Sequence, residues 1–267
     1  MTDRDRQPMA TLAALLLVAG LLPATGAAEP EADSPQLLVL AASSLTAPMK
    51  EVAAAWESQN QTSVKLSFGG SSRLATQISQ GDRADVFLSA NRKWVEHLTE
   101  RELVDPTSRT TFASNRLVWV VPSGASEGPD DLETIRQSPP ERLALGGPKV
   151  PAGMYARRAL RSAEMWSGLE GRVVSAENVK RALQWVALGE AEAGIVYRTD
   201  AIASDEVDVA FELPERLQPE ILYEGAVPGA AEHPELGRAF LEFLGSPKAR
   251  EILGRAGFSE PPSGEAD

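Results

Sequence analysis

From Leu37 to Phe258, short runs rich in Leu, Val and Phe alternate with stretches of helical periodicity, and no linker interrupts them. Apolar runs at 37–41, 64–68, 85–88, 116–122, 194–197 and 222–227 read as strands, with a weaker one at 143–145. Between and after them, 47–59, 73–80, 91–102, 151–160, 178–188, 234–244 and 247–255 read as helices. In the first helix Met49, Val52, Ala53 and Trp56 fall on one face. Strands that alternate with helices are the mark of βαβ units, and hence of an α/β fold with mainly parallel sheets. An alternation this long without a linker predicts two lobes that the chain crosses more than once.

The N-terminal segment is set apart from this pattern. Residues 11–22 read TLAALLLVAGLL, an apolar run behind Arg4 and Arg6 that ends near the small residues Thr25-Gly26-Ala27-Ala28. This is the form of a secretory signal peptide with cleavage near Ala27 or Ala28, and the run is too short for a stable membrane anchor. No Cys follows it, so no lipoprotein anchor is expected. Residues 29–36 then form a short disordered lead-in, and the processed protein is expected in the periplasm.

Charge and residue inventory exclude several classes of function. The chain has 26 Lys+Arg against 38 Asp+Glu, a formal net charge of −12, the opposite of what a nucleic-acid binder needs. Loss of residues 1–28 removes Arg4, Arg6, Asp3 and Asp5 and leaves that value at −12. With no Cys and only His97 and His233, no thiolate chemistry and no Cys- or His-based metal cluster is expected. The sequence has no Walker motif and no Gly-x-Gly-x-x-Gly.

Candidate chemistry sits where strands give way to helices. Ala41-Ala42-Ser43-Ser44-Leu45-Thr46, Gly69-Gly70-Ser71-Ser72 and Val150-Pro151-Ala152-Gly153 each place small residues at such a junction, and Asn178-Val179 opens a fourth helix. The first N–H groups of a helix have no intrahelical acceptor and carry partial positive charge, so such a terminus accepts anions. Serine hydroxyls add neutral donors. Each junction alone is better explained by helix capping, and their coincidence raises the anion-site reading without settling it. The carboxylates are less informative: most, including Asp85 at a strand start, are expected on solvated faces, and Asp200 reads as the N-cap of a helix beginning at Ala201. Most aromatic residues fall on apolar faces. Tyr197 differs, because it ends a strand where a phenol can reach a ligand.

Several segments together carry a resemblance: AASSLTAPMKEVAAAWE (41–57), FGGSSRLATQISQGDRADVFLSAN (68–91), NRLVWVVPSG (115–124), VPAGMYARRAL (150–160), ENVKRALQWVALGEAEAGIVYRTDA (177–201) and GRAGF (254–258). In this order they resemble the periplasmic molybdate-binding proteins of ABC transporters, from about Leu37 to Phe258. The resemblance implies a two-lobed, type II periplasmic binding fold. Each lobe has a mainly parallel sheet flanked by helices, and the ligand cleft lies between them. Lobe 1 is expected to comprise 37–117 and 222–260, lobe 2 to comprise 118–221, and 261–267 to be a disordered tail. The resemblance also implies capture of molybdate or tungstate as the oxyanion, with no cofactor and no bare metal cation. By residue, it implies contacts from Ser44 and Ser71, from the backbone N–H groups of Ala152 and Val179, and from the Tyr197 hydroxyl. The partner implied is a membrane permease, met transiently by a monomer.

The chain departs from the family at Gly146-Gly147-Pro148, where relatives commonly read Gly-Asp-Pro, and that loop forms one wall of the expected site. The departure keeps open a binding protein for another small oxyanion or organic acid. An exported hydrolase using Ser44 or Ser71 is the enzyme alternative, and it lacks an evident base. The expected role is therefore that of a binding protein, not an enzyme.

Overall fold

The computed structural model describes residues 35–125 and 128–262. The expected leader, most of the lead-in and the last five residues lie outside these. The chain runs β1 (Gln36–Ala42), α1 (Thr46–Glu57), β2 (Ser63–Gly69), α2 (Ser71–Ser79), β3 (Val86–Ser89), α3 (Arg92–Thr99) and β4 (Thr110–Ser114). It continues through β5 (Leu117–Pro122), α4 (Leu132–Gln137), β6 (Leu143–Gly146), α5 (Pro151–Ser162), α6 (Trp166–Leu169), β7 (Val173–Ala176), α7 (Val179–Ala187), β8 (Ala193–Tyr197), α8 (Arg198–Ile202) and β9 (Val207–Glu212). Then come β10 (Leu222–Ala226), α9 (Pro234–Leu244) and α10 (Pro247–Arg255).

Two five-stranded sheets result, ordered β2-β1-β3-β10-β4 and β7-β6-β8-β5-β9. Each is mixed. In the first, β1 pairs in parallel with β2 and β3, whereas β10 is antiparallel to β3 and β4. The second repeats the scheme, with β6 parallel to β7 and β8 and β5 antiparallel to β8 and β9. The expected parallel character thus holds for the βαβ half of each sheet. Chain crossing explains the rest: β10 returns from the second sheet and inserts between β3 and β4, so it enters against the direction of its neighbours.

The crossings are residues 115–116 and 213–221, and side chains hold them together. Gln218 accepts from the Leu117 N–H at 2.9 Å and donates to its carbonyl at 2.9 Å. Each sheet is covered by helices whose apolar stripes bury large side chains, among them Trp56 and Met49 of α1 and Phe240 of α9 on the first sheet. Trp56 meets Phe240 edge-on at 5.6 Å between ring centres.

Two carboxylates depart from their expected roles. Asp85 is buried, and its oxygens accept from the Leu38 and His233 N–H groups at 2.8 Å each. It therefore fastens β1 to the start of α9, where a solvated side chain was expected. Asp200 lies within α8 and does not cap it; Tyr197 is the N-cap residue. Its carboxylate is fully buried and pairs with the Lys180 ammonium at 2.9 Å.

Candidate functional site

In both sheets the parallel strands point their carboxyl ends at the same place. The junctions after β1, β2 and β3 approach from one sheet, and those after β6, β7 and β8 from the other. Crevices outside strand carboxyl ends are where open α/β sheets bind ligands. Between the two sets lies a small cavity, lined by Ser44, Ser71, Ala152, Val179 and Tyr197 together with Ala42, Gly69, Gly70 and Ala90. All five residues singled out in the sequence meet there. None of the lining residues carries a charged side chain.

Local structure explains why these residues face inward. Ser44 sits in a single 3₁₀ turn, Ser43–Leu45, that leads into α1, and Ser71 is the first residue of α2. Ala152 is the second residue of α5, behind Pro151, whose missing N–H is harmless at a helix start. Val179 opens α7, and the Asn178 side chain caps that helix by accepting from the Arg181 N–H at 2.9 Å. Four helical N-termini thus surround the cavity. Their unpaired N–H groups and dipoles supply positive potential without a cation.

The hydroxyls are prepared as donors. Ser71 Oγ accepts from the Ala90 N–H at 3.1 Å, and Ser44 Oγ accepts from the Tyr223 hydroxyl at 2.9 Å, so each serine proton is left for the cavity. The Tyr197 hydroxyl is fully buried and has no hydrogen-bond partner among the described residues. Burial, reinforced by Tyr223 nearby, holds its phenol well above the ordinary value of 10. Tyr197 is therefore a protonated donor at any physiological pH.

Contacts between the lobes bridge the cleft. Trp94 Nε1 donates to the Lys149 carbonyl at 3.1 Å, and the Asn91 amide donates to Met154 Sδ at 3.8 Å. Gly70 packs so closely that a Cβ there would stand 2.7 Å from the Glu177 carbonyl oxygen of the facing lobe. The wall carrying Gly146-Gly147-Pro148 is fixed by the buried Arg157, which donates to the carbonyls of Gly146 at 2.5 Å and Gly153 at 3.0 Å. Gly153 permits this fold of the wall, since a Cβ there would sit 1.9 Å from the Gly146 oxygen.

Three polar groups of the site have no local signal in the sequence. Tyr223 and Asn115 lie in β10 and a crossing segment and reach Ser44 only through the fold. The Ala90 N–H is a backbone donor that no residue type announces.

Two α/β lobes, joined by paired crossing segments and closed on a small cavity of neutral donors, define a two-lobed solute-binding protein. Residues 37–259 match the family described as bacterial extracellular solute-binding protein, and the chain belongs to that family. It is 36% identical over 233 residues to the molybdate-binding protein ModA of Escherichia coli, covering 85% of this chain and 90% of that one. It is 33% identical to ModA of Haemophilus influenzae, over 85% and 91% of the two chains. The periplasmic molybdate-binding protein of Azotobacter vinelandii shares the fold, with a TM-score of 0.75 at 23% identity over 84% of this chain and 99% of that one.

Proposed function

We propose that this protein captures molybdate, and tungstate with it, as the free oxyanion and delivers it to the permease of an ABC transporter. One observation supports the reading: the five residues expected to hold a tetrahedral oxyanion line one small cavity, and their candidate donors are two serine hydroxyls, two N–H groups at helix starts and a Tyr197 hydroxyl without a partner among the described residues. A dianion transferred from water must recover its hydration from such donors, and hydrogen bonds to an ionised acceptor are the strong ones. Cavity size then selects against sulfate, which offers the same acceptors on a smaller frame. The named relatives support the choice of molybdate.

The protein acts in this reading as a monomeric binding protein exported to the periplasm with its leader removed and with no lipid anchor. The lobes, 37–117 with 222–260 and 118–221, hinge at the paired crossing segments and close over the ligand. A hydrolase is disfavoured because, among the described residues, no His, Asp, Glu or Lys lines the cavity to serve Ser44 or Ser71 as a base. The test is isothermal titration with molybdate, tungstate, sulfate and phosphate. Tight binding of the first two is expected, and heat from sulfate or phosphate with none from molybdate refutes the assignment.

A further inference from the structure

A directed chain of hydrogen bonds runs from one crossing segment to Ser44. The Arg116 N–H donates to Asn115 Oδ1 at 2.9 Å, which fixes the amide so that Nδ2 is the donor. Asn115 Nδ2 donates to Tyr223 Oη at 3.3 Å and to Thr199 Oγ1 at 2.8 Å. Tyr223 then donates to Ser44 Oγ at 2.9 Å. The side chains that carry it are buried: Tyr223 is 0% exposed, and Asn115, Ser44 and Thr199 are each below 7%. Phe112 and Phe258 pack edge-on against the Tyr223 ring at 6.2 and 5.2 Å between centres, which holds the phenol on its target.

A serine hydroxyl can rotate, and an unconstrained one presents a lone pair as readily as a proton. Here a lone pair of Ser44 is already occupied by Tyr223, and the Asn115 donor behind Tyr223 takes a lone pair of the phenol oxygen and leaves its proton for Ser44. Burial holds the Tyr223 phenol well above its ordinary value of 10, so the donation persists at any physiological pH. We infer that Tyr223, oriented by Asn115, is a positioning residue that fixes the Ser44 hydroxyl as a donor toward the bound oxyanion. The inference rests on the oxyanion reading of the cavity. Thr199, two residues beyond Tyr197, accepts from the same Asn115 amide.

The test is a double-mutant cycle on the whole protein, read by titration with molybdate. Tyr223→Phe keeps the ring and its aromatic packing and removes only the hydroxyl. In the wild-type background it should weaken molybdate binding about tenfold, as expected for one buried hydrogen bond in a polarised chain. In a Ser44→Ala background the same substitution should change affinity by less than about twofold, because its route to the ligand is gone. Equal loss in both backgrounds, or none in the wild type, overturns the inference. A wild type that takes no molybdate instead overturns the ligand assignment, and this inference falls with it.

Discussion

Replacing Gly70 by alanine isolates the energy of closure. The glycine has φ −64° and ψ 133°, a conformation open to alanine, so the backbone itself is not strained. Within its own lobe no neighbour obstructs a methyl group; the nearest atom is the Glu177 carbonyl oxygen of the facing lobe, 2.7 Å from the added Cβ. Backbone on both sides leaves only a partial reopening of the cleft to relieve the contact. Overpacking of this kind costs about 1–3 kcal/mol. Because that cost falls on the closed form alone, molybdate affinity should drop ~5- to ~150-fold. Thermal unfolding without ligand should shift little, and small-angle scattering at saturating ligand should show a larger radius than the wild type. Unchanged affinity, or an equal loss of stability without ligand, would refute the reasoning.

Other substitutions probe the remaining parts. Tyr197→Phe removes a hydroxyl that has no protein partner, so unliganded stability should hold or rise while molybdate binding weakens ~10- to ~150-fold, by calorimetry. Arg157→Met removes two donations to the Gly146 and Gly153 carbonyls and should cost about 1.5–3 kcal/mol, seen as a Tm lower by about 3–12 °C. Burial raises the Asp200 carboxyl above its ordinary 3.8, against the pull of Lys180. The folded state therefore holds this proton more tightly than the unfolded state, and stability is lost as pH rises from 3.8 through the raised value. Asp200→Asn should flatten that part of a urea-unfolding pH series.

What could be read in the sequence was local. The serines after β1 and β2, the Pro-Ala-Gly start of α5 and Asn178-Val179 are each legible because capping and anion binding use residues adjacent in the chain. Tyr197 stood out by its position at a strand end. Tyr223 and Asn115 did not, since the bonds that matter join residues 108 and 179 positions apart. Asp85 was misread for the same reason: its partners, Leu38 and His233, are distant, and a lone carboxylate beside a strand gives no sign that two N–H groups converge on it. Asp200 reads as an N-cap in the sequence, but the helix begins at Arg198. The strands β4, β7 and β9 escaped because their polar or exposed residues, as in Thr110–Ser114 and Val207–Glu212, break the run of apolar positions.

An acidic protein that captures a dianion sets two fields against each other, and salt separates them. The net charge of −12 repels the ligand over a Debye length, about 30 Å at 0.01 M ionic strength and about 10 Å at 0.1 M. The attraction of the helix N-termini falls off within a turn and acts inside a closed cavity, where salt does not reach. Raising ionic strength therefore removes the repulsion and leaves the attraction. Association with molybdate should accelerate with added salt while dissociation stays nearly constant, the reverse of a site reached by cationic steering. Trp94 offers the signal for stopped-flow fluorescence, because its indole N–H bonds across the cleft to the Lys149 carbonyl. An association rate that falls as salt is added would mean that local positive potential governs the approach as well as the binding, and that the surface charge is arranged to keep its acidity away from the mouth of the cleft.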